Sequence, residues 1–197
     1  MRLINAKDLN LKDADVIYYP NFFNNTEADK YLKALHNEIP WQQDKIKVFG
    51  KIYDQPRLTA FFANNTTPYS YSNITMHPKP FEGHMQIIKT AIETALNIKF
   101  TSCLANFYRD GKDSNGWHAD DEKVLGKHPI IASVTFGEER SFHLKHKKDA
   151  SLKEKIILNH GSLLLMQGAT QENWLHQIPK TKRVIAPRIN LTFRIIP

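Results

Sequence analysis

RINLTFR, residues 188–194, alternates polar and apolar side chains over its whole length. Successive side chains of a β-strand point to opposite faces of a sheet, so this alternation predicts a strand. Ile189, Leu191 and Phe193 fall on one face of that strand. The other face carries only polar side chains, which are those of Arg188, Asn190, Thr192 and Arg194. The segment therefore predicts a sheet with an apolar core on one side and a polar surface on the other.

Further short segments of strand type follow one another from about residue 98 onward. They are bounded by turns that contain Gly, Asp, Asn or several Lys residues, as in a β-sandwich or barrel. The predicted strands span residues 104–108, 130–136, 141–144, 155–158, 162–166 and 189–196. Many short strands that close around a ligand cavity predict a double-stranded β-helix, the jelly-roll or cupin-like architecture.

The first half of the chain predicts helices. Asn24–Glu27 supplies an N-cap for an amphipathic helix that ends before Pro40. Apolar residues at helical spacing predict a second helix from about Phe81 to Leu96. We therefore predict an α+β fold, with N-terminal helices attached to a jelly-roll core. Residues 1–197 are expected to form a single domain, in which the core spans about 98–197.

Composition constrains the partner and the compartment. The chain has 27 Lys and Arg against 20 Asp and Glu, which gives a net charge of +7 and a pI of about 9.4. This charge favours a polyanionic partner, although ordinary surface solubilisation explains it equally well. The sequence shows neither an apolar run that could cross a bilayer nor a signal-peptide core. We therefore expect a monomer without a membrane partner, located in the cytoplasm, or in the nucleus of a eukaryote. The single cysteine, Cys103, is expected to be a buried thiol.

His118, Asp120 and His176 are the candidate metal ligands. Residues two apart on a strand point to the same face, so His118 and Asp120 can reach one ion if a neighbouring strand supplies the third ligand. Two imidazoles and one carboxylate leave the opposite side of the metal open for a co-substrate and O₂, as in non-haem Fe(II) oxygenases. The alternative is a pair of solvated loop residues, because an isolated His-x-Asp pair is common by chance.

The polar face of segment 188–194 suggests the co-substrate. Arg188 and Arg194 would be costly to bury without carboxylates. A dicarboxylate beside the iron would pair with both guanidinium groups. The alternative is a solvated outer face that carries two free arginines.

Taken together, these residues resemble the signature of the AlkB family of 2-oxoglutarate- and Fe(II)-dependent nucleic-acid dealkylases. The matching positions, in order, are Asn106, Tyr108, His118, Asp120, His176 and the segment 188–194. The resemblance covers the chain from about residue 41 onward. It implies a DNA repair dioxygenase that removes methyl groups from 1-methyladenine and 3-methylcytosine in DNA, with RNA as a further substrate. Such an enzyme uses O₂ and 2-oxoglutarate and releases formaldehyde, succinate and CO₂.

The resemblance also implies roles for individual residues. The Fe(II) ligands would be His118, Asp120 and His176. The 2-oxoglutarate pocket would be formed by Asn106, Tyr108, Arg188, Thr192 and Arg194. Within that pocket, Arg188 would pair with the distal carboxylate.

Two segments within about residues 1–97 resemble substrate-recognition elements of the family. Residues 48–51 are similar to the finger hairpin of the branch that repairs double-stranded DNA. Phe49 would be a wedge in the base stack, with Gly50 at the turn and Lys51 on a phosphate. The alternative for Phe49 is a place in the core.

Arg57 and the segment from Tyr69 through Ser70 to Tyr71 resemble the nucleotide-recognition lid. Tyr71 would stack the methylated base against the His118 imidazole. Alternatively, the tyrosines pack the lid onto the barrel.

Two charged residues complete the predicted substrate contacts. Asp121 would contact the methylated base, whose positive charge favours a nearby carboxylate. Lys145 begins a basic cluster that would contact phosphates. Both residues could equally be solvated loop residues.

The strand preference stays open. The finger resembles the double-strand branch, whereas residues 55–60 and 167–179 resemble the branch that prefers single-stranded DNA and RNA. Two other functions also stay open. An oxygenase acting on a protein or a small molecule would not need Phe49 or the basic loops, and a catalytically dead nucleic-acid-binding module would not need the three ligands.

Overall fold

A computed structural model of the chain describes residues 5–48, 50–71 and 74–196. Phe49 lies outside the described residues, and so do the side chains of Ser70 and Tyr71. The helices are α1, Asn25–Glu38; α2, Gly83–Leu96; and the short α3, Thr170–Asn173. A 3₁₀ turn spans Lys123–Leu125.

Most of the described chain is β-structure. The strands are β1 Lys7–Asp8, β2 Asp15–Tyr19, β3 Lys45–Val48, β4 Lys51–Asp54, β5 Leu58–Ala63, β6 Tyr69–Tyr71, β7 Ile74–Met76, β8 Ser102–Tyr108, β9 Asn115–His118, β10 Ile131–Gly137, β11 Arg140–His146, β12 Lys153–Leu158, β13 Leu163–Gln167, β14 Trp174–Ile178 and β15 Arg188–Arg194. The predicted strands are present, with ends that differ by a few residues.

Two sheets form the jelly roll. The large sheet has seven strands in the order β1-β2-β13-β10-β15-β8-β5, and the small sheet has four in the order β12-β11-β14-β9. Two hairpins, β3-β4 and β6-β7, form separate two-stranded sheets. The neighbouring strands whose register is described pair antiparallel. The predicted α+β class with a jelly-roll core is confirmed.

The helices cover one face of the large sheet. Helix α1 begins at a capping box, in which Asn24 Oδ1 accepts the Glu27 N–H at 2.9 Å and Glu27 Oε2 accepts the Asn24 N–H at 3.2 Å. The helix ends at Glu38, because Ile39 precedes a proline and has extended backbone angles. Helix α2 ends at Leu96, and the following residue, Asn97, caps it with left-handed backbone angles.

The large sheet separates two hydrophobic clusters. Residues on its outer face, among them Ile189, Leu191 and Phe193, pack with α1 and α2 in the largest cluster. Residues on its inner face, such as Leu164 and Met166, pack with the small sheet in a second cluster. Cys103 belongs to the first cluster, and burial raises the pKa of its thiol.

Strands β2 and β5 precede residue 97 but belong to the large sheet. Strand β2 pairs with β13, and β5 pairs with β8. The predicted boundary near residue 97 lies between α2 and β8. The large sheet contains strands that precede this boundary and strands that follow it. None of the helices within the described ranges is long and apolar enough to span a membrane.

Candidate metal centre

Pairing between two strands of the small sheet brings the two candidate histidine ligands together. His118 on β9 lies directly opposite His176 on β14, and their ring centroids are 4.3 Å apart. Asp120 follows the end of β9 and is buried. Ligand atoms of these three residues all lie within 4.8 Å of one another, and they form the one such group that was found in the described parts of the chain. The sequence did not predict β9 or β14 as strands, but it did predict that a neighbouring strand supplies the third ligand.

A buried arginine holds the carboxylate ionised. Arg194 Nη2 donates to Asp120 Oδ1 at 2.7 Å, and both side chains are almost fully buried. Burial opposes ionisation of Asp120, but Arg194 outweighs it and lowers the pKa to about 2. Asp120 therefore presents a negative charge at neutral pH, as a metal ligand requires.

The backbone orients His118. Its Nδ1 lies 2.7 Å from the Gly116 carbonyl oxygen, which can only accept a hydrogen bond, so Nδ1 carries the proton. Nε2 then carries the lone pair, which accepts a hydrogen bond from the Asn115 amide at 3.1 Å. A bond from Nδ1 to a backbone carbonyl, like the one to Gly116, is typical of histidines that bind a metal through the other ring nitrogen.

His176 is kept neutral by its surroundings. Burial is the main cause, His118 adds to it, and together they lower the pKa of His176 to about 3. The ring also stacks on Phe142, with centroids 5.2 Å apart. A neutral, fixed imidazole is the form that coordinates a metal.

Arg188 lies at the other end of the same cavity. Its Nη2 donates to Thr135 Oγ1 at 2.8 Å, and its guanidinium carbon lies 5.0 Å from the centre of the Tyr108 ring. Burial lowers its pKa to about 10, which leaves it charged at neutral pH. Nε and Nη1 are buried and have no hydrogen-bond partner within the described ranges. Two free donors on a buried guanidinium match a carboxylate in number and charge.

Asn106 and Arg57 form a buried pair beside the cavity. Arg57 Nε donates to Asn106 Oδ1 at 2.7 Å, and Arg57 Nη1 donates to the Ser114 carbonyl at 3.2 Å. Asn106 lines the cavity with Tyr108. Arg57 does not lie on the lid surface, where the sequence placed it, because β5 pairs with β8 and turns this side chain inward. Its contacts orient the Asn106 amide.

Thr192 and Arg194 line the cavity as well. Thr192 Oγ1 donates to Asn190 Oδ1 at 3.0 Å, and the Asn190 amide donates to Ser133 Oγ at 2.8 Å. Arg194 differs from the prediction in its partner, because it binds Asp120 directly. Among the buried nitrogens of the two cavity arginines, two of Arg188 and one of Arg194 have no hydrogen-bond partner in the described parts of the chain.

Tyr69, Gly50 and Lys51 are lid and finger residues that the structure describes in full. Tyr69 is buried and stacks on Phe61 with ring centroids 5.0 Å apart, as the packing alternative predicted. Burial raises the pKa of Tyr69. Gly50 has a φ of +80°, which suits the turn of the β3-β4 hairpin, and Lys51 is exposed. Phe49 and the side chain of Tyr71 lie outside the described residues, so the wedge role and the stacking role stay predictions.

Asp121 and Lys145 lie at the rim of the site. The exposed Asp121 accepts a hydrogen bond from Lys147 Nζ at 3.0 Å. Lys147 Nζ also donates to the Gln171 carbonyl at 2.9 Å. Lys145 Nζ lies 4.3 Å from the centre of the Trp117 ring.

Sequence reasoning missed Gln171. This side chain is 1% exposed, and its Oε1 accepts the backbone N–H of Asp120 at 2.9 Å. It therefore fixes the backbone of a candidate ligand from α3. Nothing in the sequence marks it, because the contact joins residues that are far apart in the chain.

The cavity residues fit an iron ion and a dicarboxylate. Two imidazoles and an ionised carboxylate form the donor set at one end, and Arg188 offers its unpartnered donors at the other. The lining between them includes Asn106, Tyr108, Asn190 and Thr192.

Comparison with known proteins identifies the class. The model of the 2OG-Fe(II) oxygenase superfamily matches residues 15–194. The chain therefore belongs to this superfamily, whose members use Fe(II), 2-oxoglutarate and O₂. The predicted cofactors are confirmed.

Relatives identify the branch. The chain is 44% identical over 190 residues to alpha-ketoglutarate-dependent dioxygenase alkB homolog 3 of Mus musculus, and 43% identical to that of Homo sapiens. It is 36% identical over 188 residues to DNA oxidative demethylase ALKBH2 of Mus musculus. These matches cover 92% and 90% of the chain, and the chain belongs to the AlkB family.

Coverage of the relatives is partial. The chain spans 66% of the length of the mouse and human alkB homolog 3 proteins and 79% of mouse ALKBH2. A solved structure of OsALKBH1 matches with a TM-score of 0.65 at 15% identity, and the match covers 96% of this chain and 99% of that one. At this identity the structural match shows the shared fold alone.

Proposed function

We propose that the protein is a DNA repair dioxygenase that demethylates 1-methyladenine and 3-methylcytosine in DNA, with RNA as a further substrate. The observation that carries the proposal is one cavity with His118, Asp120 and His176 at one end and the free Arg188 donors at the other. Relatives named as alkB homolog 3 and as DNA oxidative demethylase support nucleic acid as the substrate. We further propose a monomeric, single-domain enzyme over residues 1–197, located in the cytoplasm or in a eukaryotic nucleus.

In this proposal, His118, Asp120 and His176 hold Fe(II). The chemistry that iron, 2-oxoglutarate and O₂ supply is oxidative, converting 2-oxoglutarate to succinate and CO₂ and hydroxylating the N-methyl group, which leaves as formaldehyde. Arg194 keeps the Asp120 carboxylate ionised and in place. Gly116 fixes the tautomer of His118, so that Nε2 is the nitrogen that would bind the metal.

The co-substrate is held by the polar face of β15 and by β8. Arg188 pairs with the distal carboxylate through Nε and Nη1, while Thr135 holds its third nitrogen. Asn106 and Tyr108 add hydrogen bonds, with the Asn106 amide oriented by Arg57. Thr192 and Arg194 complete this pocket.

Substrate contacts come from the rim, the lid and the finger. Asp121 favours the cationic methylated base over the neutral normal base. Tyr71 stacks that base against His118, with Tyr69 and Ser70 in the same strand. Phe49 fills the gap in a duplex, Gly50 forms the turn, and Lys51 and Lys145 contact phosphates.

The decisive experiment measures products from methylated oligonucleotides. Protein supplied with Fe(II), 2-oxoglutarate and O₂ is incubated with oligonucleotides that carry 1-methyladenine or 3-methylcytosine, and formaldehyde and succinate are quantified. We expect both products in equal amounts, and loss of both when a chelator removes the iron. Matched unmethylated oligonucleotides and a peptide pool are the controls. Absence of formaldehyde from both methylated substrates would exclude the proposal, and succinate release with the peptide pool alone would favour a protein hydroxylase.

Strand preference requires a second comparison. Rates are measured on matched single- and double-stranded methylated DNA for the wild-type protein and for Phe49→Ala. If Phe49 is the wedge, the variant loses more activity on duplex than on single strands. Equal losses on both substrates would return Phe49 to a structural role.

A further inference from the structure

The outer face of the small sheet carries a basic surface of which the proposed function uses only Lys145. Phe142 and Leu144 on β11 and Leu158 on β12 point into the inter-sheet cluster. Side chains alternate along a strand, so the positions between them point outward. We use the name outer basic face for Trp117, His143, Lys145, Lys153 and Lys155.

Strand register places two lysines opposite each other on this face. Lys145 pairs with Lys153. His143 pairs with Lys155, but burial and Lys155 lower the pKa of His143, so it adds no charge at neutral pH. Like charges in directly opposed positions destabilise a sheet. None of the three lysines forms an ion pair with a carboxylate in the described parts of the chain. A polyanion bound to this face would remove the repulsion between the lysines.

Trp117 adds an aromatic group to the same surface. Its side chain is 40% exposed, although a tryptophan is usually well buried. The Lys145 ammonium lies 4.3 Å from its ring centre, within the range of a cation–π contact, which restricts the ring. Lysines beside an exposed aromatic ring are the combination with which proteins bind single-stranded nucleic acid, through phosphate contacts and base stacking.

The outer basic face continues into the rim of the metal centre. Trp117 directly precedes His118, so the two side chains leave β9 on opposite faces. At the end of β11, Lys147 reaches Asp121 at 3.0 Å, next to the candidate ligand Asp120. Lys147 and Asp121 therefore lie between this face and the metal centre along the chain of contacts.

We propose that the outer basic face binds the single-stranded segment that flanks the target base. Lys153 and Lys155 contact its phosphates, and Trp117 stacks on one of its bases. The proposal rests on the proposed function for the identity of the substrate. Binding to this face requires neither iron nor a methylated base, so it can be tested separately from catalysis.

The first test measures affinity and its salt dependence. A fluorescent, unmethylated single strand of about 15 nucleotides is titrated with iron-free protein and followed by anisotropy. We expect the double variant Lys153→Ala/Lys155→Ala to bind about tenfold more weakly at low salt. The slope of log Kd against log salt should fall by about 1.4, since each phosphate contact to a single strand contributes about 0.7. The matched control is Lys30→Ala/Lys33→Ala, which removes the same charge from exposed positions of α1, across the large sheet.

The second test separates stacking from charge. Trp117→Ala should weaken binding of the oligonucleotide about tenfold, since stacking contributes about 1–3 kcal/mol per base, and Trp117→Phe should restore part of it. Heparin is a polyanion without bases, so its affinity for Trp117→Ala and for Trp117→Phe should equal its affinity for the wild type. Equal affinity of the lysine variant and its control, or an unchanged affinity of Trp117→Ala, would overturn the inference. Either result would leave the proposed function standing if the same proteins still release formaldehyde from a methylated oligonucleotide, whereas absence of formaldehyde from the wild type would refute the proposed function alone.

Discussion

The two faces of β15 belong to one strand but carry opposite kinds of side chain. On β15, Ile189, Leu191 and Phe193 are fully buried against the helices. The residues between them are also buried, but they are polar and line the cavity. One face stabilises the domain by excluding water, and the other keeps charges in fixed positions. The strand can carry both kinds of side chain because successive side chains of a β-strand point to opposite faces of the sheet.

The polar face depends on compensation that the apolar face does not need. Arg194 and Asp120 neutralise each other at 2.7 Å, and Arg188 has two nitrogens without a hydrogen-bond partner among the described residues. An unsatisfied buried donor costs about 1–3 kcal/mol. This cost is tolerable for a group whose purpose is to bind a carboxylate. The contrast can be tested one side chain at a time.

The largest effect is expected at the metal centre. Asp120→Asn keeps the volume of the side chain but removes the negative charge. Loss of a residue that merely supports a ligand costs about 10- to 100-fold in metal affinity or activity, so loss of a ligand should cost more than about 100-fold. The measurements are iron binding and formaldehyde release, with the exposed Asp8→Asn as the control. Retention of normal turnover would remove Asp120 from the ligand set.

The apolar face should show a large effect on stability. Phe193→Ala should lower the free energy of unfolding by about 3–5 kcal/mol, because it opens a cavity in the main cluster. The neighbouring Thr192→Ala, on the polar face, should cost about 1 kcal/mol. Urea unfolding of both variants measures the difference. Similar losses for the two would mean that the faces do not divide their roles in this way.

Arg188 tests whether the polar face binds the co-substrate. Arg188→Gln should raise the KM for 2-oxoglutarate about 10- to 100-fold, since a charge-assisted hydrogen bond contributes about 1.5–3 kcal/mol. Affinity for a methylated oligonucleotide should not change. A variant that lost oligonucleotide affinity while keeping the KM for 2-oxoglutarate would assign Arg188 to the wrong ligand.

The smallest effect is a pH dependence on the helix side. Burial opposes ionisation of Glu93, but Lys89, the Phe100 N–H and Lys99 outweigh it and lower its pKa. A carboxyl whose pKa is lowered by folding stabilises the protein above its unfolded pKa, about 4.5, and this contribution is lost as the pH falls through the folded value. Glu93→Gln should therefore be less stable than the wild type by about 1–2 kcal/mol at pH 7, and the gap should narrow below pH 4.5. Urea unfolding across this range measures it, and a constant gap would contradict the assignment.

The sequence alone determined the elements with strong local signals. The capping residues Asn24 and Glu27 marked the start of α1, and the alternation of segment 188–194 marked β15 and the two faces of the large sheet. The residue types at 118, 120 and 176, together with the resemblance to the AlkB family, predicted an iron centre. The helix cap and the strand alternation are local signals, because they depend on residues that are neighbours in the chain.

Only the tertiary structure decided which distant residues meet. Strand pairing set His118 opposite His176, turned Arg57 toward Asn106, and brought Gln171 to the Asp120 backbone. The tertiary structure also decided that Arg194 pairs with Asp120. A sequence pattern shows that both residues are charged, but it does not show that they meet. Strand register fixes such contacts through hydrogen bonds between segments far apart in the chain, and no local pattern records it.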